Sequence, residues 1–259
     1  VLMLGIILTA GVLRFWDLDK SPYGYHVDEY SGSVTVKCLA TEGIDAHLIK
    51  HPLFFDVHYG TPKPPIWAYP AAAWMKIFGY KADMLRAFTA FGHTIGLIGL
   101  FFLTRLFFSN TCAVITVLIA SISPWSFGLS RIGYESTFTT VFTCWGLFFF
   151  SRSNRLRDKI MAGLLLAAAL YSYPPSRAYI PLMLPFLFLL DAKRQGFSKK
   201  AMLGFILSLI LPCIPLVQKT ISGELQGRFN NISITSPAYL KSIHKTASIP
   251  DLIQVFAAN

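Results

Sequence analysis

The chain has 259 residues, of which 54% are hydrophobic, 15% aromatic and only 14% charged. Soluble domains average about 45–50% apolar and about 25% charged residues, so composition argues against a soluble globular fold and for a polytopic membrane protein. The formal charge of +10 does not signal nucleic-acid binding, because the excess Lys and Arg gather in short loops between apolar runs.

The uncharged runs are 1–13, 87–104, 106–130, 136–151, 160–176, 178–190 and 201–218. A crossing helix takes roughly 20 mainly apolar residues, and in lipid the backbone must hydrogen-bond to itself. The runs therefore predict an all-α polytopic protein with seven transmembrane helices; the segment 178–190 is short and carries Pro181 and Pro185. The first run shows no cleavage site and reads as a retained helix. Val1 begins inside an apolar run and Asn259 stops in a polar region. The expected organisation is thus a transmembrane domain over 1–218, then an extracytoplasmic segment, 219–259, opening a C-terminal part that is missing. The four cysteines are scattered, three of them in apolar runs, and predict no disulfide framework.

Lys and Arg bias in short loops sets direction. SRSNRLRDK, between the fourth and fifth predicted helices, and AKRQGFSKK, between the sixth and seventh, are both strongly basic. An even number of helices precedes each, so the two loops agree and both fall on the cytoplasmic side. Residues 14–85, the segment around 131–135, the turn near 174–177 and the tail 219–259 then lie outside. Within the long first outer loop, Asp28 to Thr41 reads as a short helix stopped at Gly43. Residues 64–75, PPIWAYPAAAWM, read as a helix lying in the membrane interface, where Trp and Tyr are favoured.

The polar chemistry gathers in these outer segments. Asp28 and Glu29 stand side by side in YHVDEYSG. One reading makes Asp28 a helix cap; another makes it a general base beside apolar walls; a third lets the pair bind a divalent cation. Lys63, in GTPKPPIW, suits a lipid phosphate or simple anchoring at the headgroups. Arg131 and Glu135 lie in SPWSFGLSRIGYES, and Arg177 in YSYPPSRAY. The positive-inside bias does not ask for Arg in outer turns, and an Arg fork binds phosphate well; pairing with a carboxylate or membrane-edge anchoring is the alternative. His26, His47, His51 and His58, with Asp28, Glu29, Asp45 and Asp56, supply metal-ligand types, but their spacing matches no specific ligand pattern. His93, inside the second predicted helix, reads as a polar group in helix packing. Charges at one membrane face suit an enzyme acting on a lipid headgroup; a transporter more often places them near the midplane.

RFWDLDKSPYGYHVDEYSG, KPPIWAYPAAAWMKIFGY, LRAFTAF, SPWSFGLSRIGYES and LYSYPPSRAYIPL, in that order, resemble a glycosyltransferase-C membrane enzyme of the family 39 type, over about residues 10–190. That group includes the dolichyl-phosphate-mannose protein mannosyltransferases and the lipid A aminoarabinose transferases. The resemblance implies a polyprenyl-phosphate sugar donor, a protein, lipid or glycan acceptor, and an active site on the outer face. It implies that Asp28 is the catalytic base with Glu29 its neighbour, and that Lys63 contacts the donor phosphate. Arg131 and Arg177 would add phosphate contacts, and Glu135 would correspond to a second acidic motif. Some relatives carry an acid directly before the KPP lysine, where this chain has Pro62, so a metal role for that acid does not transfer. A bacterial inner membrane with the site facing outward is the expected location. The rival readings are a lipid-linked sugar flippase or other transporter, and a non-catalytic membrane scaffold.

Overall fold

The computed structural model describes residues 2–45, 47–55, 65–195 and 198–222. Among them ten helices run in chain order: α1 (Leu2–Phe15), α2 (Val27–Thr41), α3 (Pro65–Phe78), α4 (Ala82–Phe107), α5 (Asn110–Ile122), α6 (Pro124–Ser130), α7 (Ser136–Arg152), α8 (Leu156–Ser172), α9 (Ser176–Gln195) and α10 (Lys199–Ile221). The seven predicted crossing segments correspond to α1, α4, α5 with α6, α7, α8, α9 and α10, and α2 and α3 fold within the first long loop. By length and composition, α4 and α10 each suffice to cross a membrane, and the α5–α6 pair does so only together. At 17 residues each, α7 and α8 span roughly 25 Å at 1.5 Å per residue, short of a hydrocarbon core of about 30 Å. Below, "inner" denotes the bundle end carrying the two basic loops and "outer" the opposite end.

The third predicted span was expected as one helix over 106–130. It is instead bent by 63° between Ile122 and Pro124. Pro124 has no N–H and its ring drives the preceding residue out of the helical region; Ser123 accordingly sits at φ −57°, ψ 124°. The short α6 continues at that angle toward Arg131.

Small residues let the long helices approach. Gly92, Gly96 and Gly99 form a stripe on α4 against α7, where an added Cβ would meet Phe138 at 2.6 Å, Val141 at 3.2 Å and Trp145 at 2.8 Å. Trp145 Nε1 donates to the Ile95 carbonyl at 3.1 Å. At Gly163 of α8, a Cβ would lie 2.6 Å from the Phe205 carbonyl of α10, a backbone contact that no rotamer change relieves. This is how helices associate where lipid is as apolar as leucine. His93 Nε2 hydrogen-bonds Ser126 Oγ at 2.8 Å, joining α4 to α6.

The loop helices pack on this bundle. On α3, Trp67, Ala68, Ala71, Ala72 and Met75 are buried against Val36, Leu39 and Ala40 of α2 and Leu85 and Phe88 of α4. The helix expected to lie in the interface therefore has a full protein-facing side. The predicted stop of α2 is present: Gly43 adopts φ +71° and its N–H returns to the Leu39 carbonyl at 3.1 Å. All four cysteines are free thiols.

Candidate active site at the outer end of the bundle

The N-cap of α2 is His26, whose ring nitrogen accepts from the Asp28 N–H at 3.2 Å. Asp28 is thus not the cap; it sits in the first turn beside Glu29, where carboxylates complement the helix dipole. Adjacent positions on a helix diverge by about 100°, and the two side chains part completely. Glu29 is 1% exposed and Asp28 59%.

Glu29 turns inward to Arg86 at the start of α4. Arg86 Nε donates to Oε1 at 2.7 Å and Nη2 to Oε2 at 3.0 Å, while the Gly133 N–H donates to Oε1 at 2.9 Å. The remaining guanidinium protons reach the carbonyls of Leu18 at 2.9 Å, Pro22 at 3.0 Å and Gly24 at 2.5 Å. All five donors of the fork are therefore engaged. Its face lies 4.3 Å from the Tyr25 ring centroid, and the Tyr25 hydroxyl donates to the Asp83 carboxylate. Burial, with help from Asp83, pushes the Tyr25 hydroxyl up to about 12, so it stays a donor. At Gly133 a Cβ would meet Leu85 at 2.9 Å and Glu29 Cγ at 3.3 Å; the missing side chain is what lets this loop reach Glu29. With both Glu29 oxygens held in this way, the adjacent carboxylates do not converge on one point, as a shared cation would need.

Arg131, expected to contact a phosphate, is 6% exposed and commits its fork to backbone. It donates to the carbonyls of Leu13 at 2.8 Å, Arg14 at 3.3 Å, Asp17 at 3.3 Å and Ser21 at 2.7 Å. The last carbonyls of a helix lack partners within it, and Arg131 supplies them for α1. It is a clamp on the end of α1 rather than a guanidinium turned toward the surface.

Next to Asp28, the cap residue His26 is met by Tyr134. The Tyr134 hydroxyl, in the loop before α7, hydrogen-bonds His26 Nδ1, and the two rings meet edge to face at 5.5 Å. The Tyr134 hydroxyl is pushed up to about 12 by burial first, then by the charges of Asp28, Glu29 and Glu135, and Tyr173 at the end of α8 lies close enough to act on it too. One turn beyond Tyr173, Arg177 occupies the first turn of α9; it is half-buried, and its Nε donates to the Leu170 carbonyl at 3.4 Å. Among the described residues no carboxylate forms an ion pair with it. Lys63, His58 and Asp56 lie outside the described residues. Among the described residues no group of three His, Cys, Asp or Glu side chains is placed to hold a metal ion.

Three residues of this region carried little sequence signal. Arg86 stands just before an apolar run, on the outer side where no positive bias is expected, and that misplaced charge was the available clue. His26 was read only as one of four loop histidines, and its pairing with Tyr134 was not visible, because that contact spans 108 positions of sequence.

Among the described residues the arrangement is an all-helical bundle of the membrane-protein class, with the Glu29–Arg86 hub and Asp28 at one end. The chain belongs to the dolichyl-phosphate-mannose-protein mannosyltransferase family, whose profile matches residues 62–217. The matched segment begins just before Lys63 and α3 and runs into α10, leaving α1, α2 and hence Asp28 and Glu29 before it. No curated protein matches the sequence. In fold, the chain is similar to the crystal structure of the Archaeoglobus fulgidus oligosaccharyltransferase, which is tethered by a disulfide to an acceptor peptide containing the NVT sequon. That match has a TM-score of 0.53 at 13% identity and covers 99% of this chain but 37% of the archaeal one.

Proposed function

We propose that the protein transfers a sugar from a polyprenyl-phosphate donor to an acceptor hydroxyl on the extracytoplasmic side, with inversion, using Asp28 as general base. The observation that carries this reading is the split between the two neighbouring carboxylates. Glu29 is consumed by the Arg86 hub and fixes the first turn of α2; Asp28 stands on that fixed turn at the outer surface. A base must be held in place and reach its substrate, and the pair divides those tasks.

In the proposed reaction Asp28 takes the proton of the acceptor hydroxyl as that oxygen attacks the anomeric carbon. The bond to the phosphate oxygen breaks on the opposite face, and polyprenyl phosphate leaves. Arg177 is the described cation best suited to the leaving phosphate. A helix N-terminus already carries positive potential, which disfavours a cation in the first turn unless an anion joins it. Lys63 is proposed as a second phosphate contact on the strength of the family resemblance. Glu135, beside Tyr134, is proposed to contact the acceptor. Both substrates would meet where the lipid tail stays among the helices and the headgroup reaches Asp28, so the interface itself provides orientation. A protein, lipid or glycan acceptor fits this geometry equally, and a bacterial inner membrane with the site facing outward is the proposed setting.

The test uses the full-length protein in nanodiscs. Polyprenyl phosphates bearing mannose, glucose, aminoarabinose or N-acetylhexosamine are offered with a membrane extract as acceptor source. Release of polyprenyl phosphate is measured for wild type and for Asp28→Asn. Wild type is expected to consume one donor, and Asp28→Asn to lose about 10²–10⁴-fold in rate with an unchanged melting temperature. A mutant as fast as wild type would remove Asp28 from the chemistry. A folded wild type that consumes none of the donors would turn the argument toward a transporter or a scaffold.

A further inference from the structure

The reading of Asp28 as a base leaves open what sets its position on the solvent side, since the Glu29–Arg86 hub holds the turn only from within. The cap of α2 stands on that side. Helix caps are usually Ser, Thr, Asp or Asn, and here the cap is a histidine with a second attachment. Two groups aim at His26 Nδ1: the Asp28 N–H at 3.2 Å and the Tyr134 hydroxyl. The amide can only donate. The phenol keeps its proton, because burial and the nearby carboxylates push its hydroxyl up to about 12. Nδ1 is therefore the acceptor and the ring proton belongs on Nε2. The Asp28 Oδ2 lies 3.8 Å from the same Nδ1. A proton on Nδ1 would lose the cap and would also place an ionic donor against the carboxylate.

Resting on the transfer reading above, we propose that His26 is a positioning residue. Its Nδ1 lone pair ties the first turn of α2 to Tyr134, so that the turn bearing Asp28 is held from the solvent side as Glu29 is held from the inside. Tyr134 belongs to the same device. Its neighbour Gly133 gives its N–H to Glu29, so one short loop fixes α2 on both sides of Asp28. The chemistry makes a sharp demand on replacements. Asn carries an acceptor oxygen at the reach of Nδ1 and caps helices well; Gln carries its oxygen one bond further out, at the reach of Nε2.

The experiment compares wild type with His26→Asn, His26→Gln, His26→Ala and Tyr134→Phe in the full-length protein, well below the melting temperature of each. Turnover is read with whichever donor of the panel above wild type consumes fastest, and hydrogen exchange is read over residues 27–33. His26→Asn is expected to keep at least about half of the wild-type kcat. His26→Ala and His26→Gln are expected to lose about tenfold in kcat, the order of one helix cap expressed as a rate, with KM for the donor changing less than about twofold. Tyr134→Phe is expected to lose about threefold, and to add nothing in the His26→Ala background, because the two removals break one contact. Exchange over 27–33 is expected to rise in His26→Ala and to stay at the wild-type value in His26→Asn.

Faster exchange with an unchanged kcat in His26→Ala would make the histidine a structural cap and overturn the proposal. Equal kcat in the Asn and Gln variants would overturn the role of Nδ1. If the folded wild type consumes no donor, the transfer reading falls and the positioning role falls with it, while exchange still shows whether the cap exists. If wild type turns over, Asp28→Asn is inactive and His26→Ala is not impaired, only the present proposal fails.

Discussion

At the inner end of the bundle, Lys159 of α8 sits 2.7 Å from Asp191 of α9, donates to the Phe150 carbonyl at 2.6 Å, and lies 3.8 Å from the Phe150 ring centroid. At the outer end, Arg86 of α4 sits 2.7 Å from Glu29 of α2 and reaches three loop carbonyls as well. Both pairs are buried. The inner pair staples helix to helix and meets a single carbonyl, that of Phe150 in the last turn of α7. The outer pair organises irregular backbone, the residues between α1 and α2 and the loop before α7, which would otherwise leave carbonyls and an amide without partners. A bundle end that is only closed needs the first kind of pair. A bundle end that must present a side chain from loops at a fixed place needs the second.

The largest effect is expected where this difference is attacked directly. Replacing both outer partners, Arg86→Met with Glu29→Leu, still strands the Leu18, Pro22 and Gly24 carbonyls and the Gly133 N–H. The double variant should stay as destabilised as Arg86→Ala alone, by about 3–5 kcal/mol, in denaturant or thermal unfolding in detergent. Recovery to wild-type stability would erase the distinction between the two ends. The inner pair should behave otherwise. Lys159→Met alone leaves a buried carboxylate and should cost about 3–5 kcal/mol, while Lys159→Met with Asp191→Leu should return to within about 1–2 kcal/mol of wild type, because buried pairs are commonly replaceable by apolar residues of similar volume and only the Phe150 carbonyl loses its donor. A double variant as unstable as the single one would show that the inner end also depends on charge. The smallest effect sharpens the outer end. Gly133→Ala forces Leu85 and Glu29 to give way and should cost about 1–3 kcal/mol, with faster hydrogen exchange around residues 27–33 and none around α8. Uniform exchange in both places would mean that the loop before α7 does not fix α2.

Much of the architecture was legible in sequence, for reasons that individual elements make clear. The apolar runs located the long helices because lipid leaves a backbone no other conformation. Gly43 announced the end of α2 because its positive φ is open to glycine at no steric cost. The bend at Ser123–Pro124 was also written in the sequence, as the one proline that opens α6, but a hydropathy pattern averages over it. The number of helices able to cross alone was less accessible, since the lengths of α7 and α8 depend on where their ends fray into the basic loop between them.

The candidate site divides the same way. The sequence by itself determined the class of protein, the approximate places of its long helices and the gathering of carboxylates in the segments between them, because composition and charge bias act locally and additively. It placed Asp28 and Glu29 together but could not rank them. Only the tertiary structure gave Glu29 to Arg86, Arg131 to the carbonyls that close α1, and His26 to Tyr134. Each of those choices is a contact between residues 57 to 118 positions apart, and a buried polar group takes whichever partner the packed helices bring within hydrogen-bond reach.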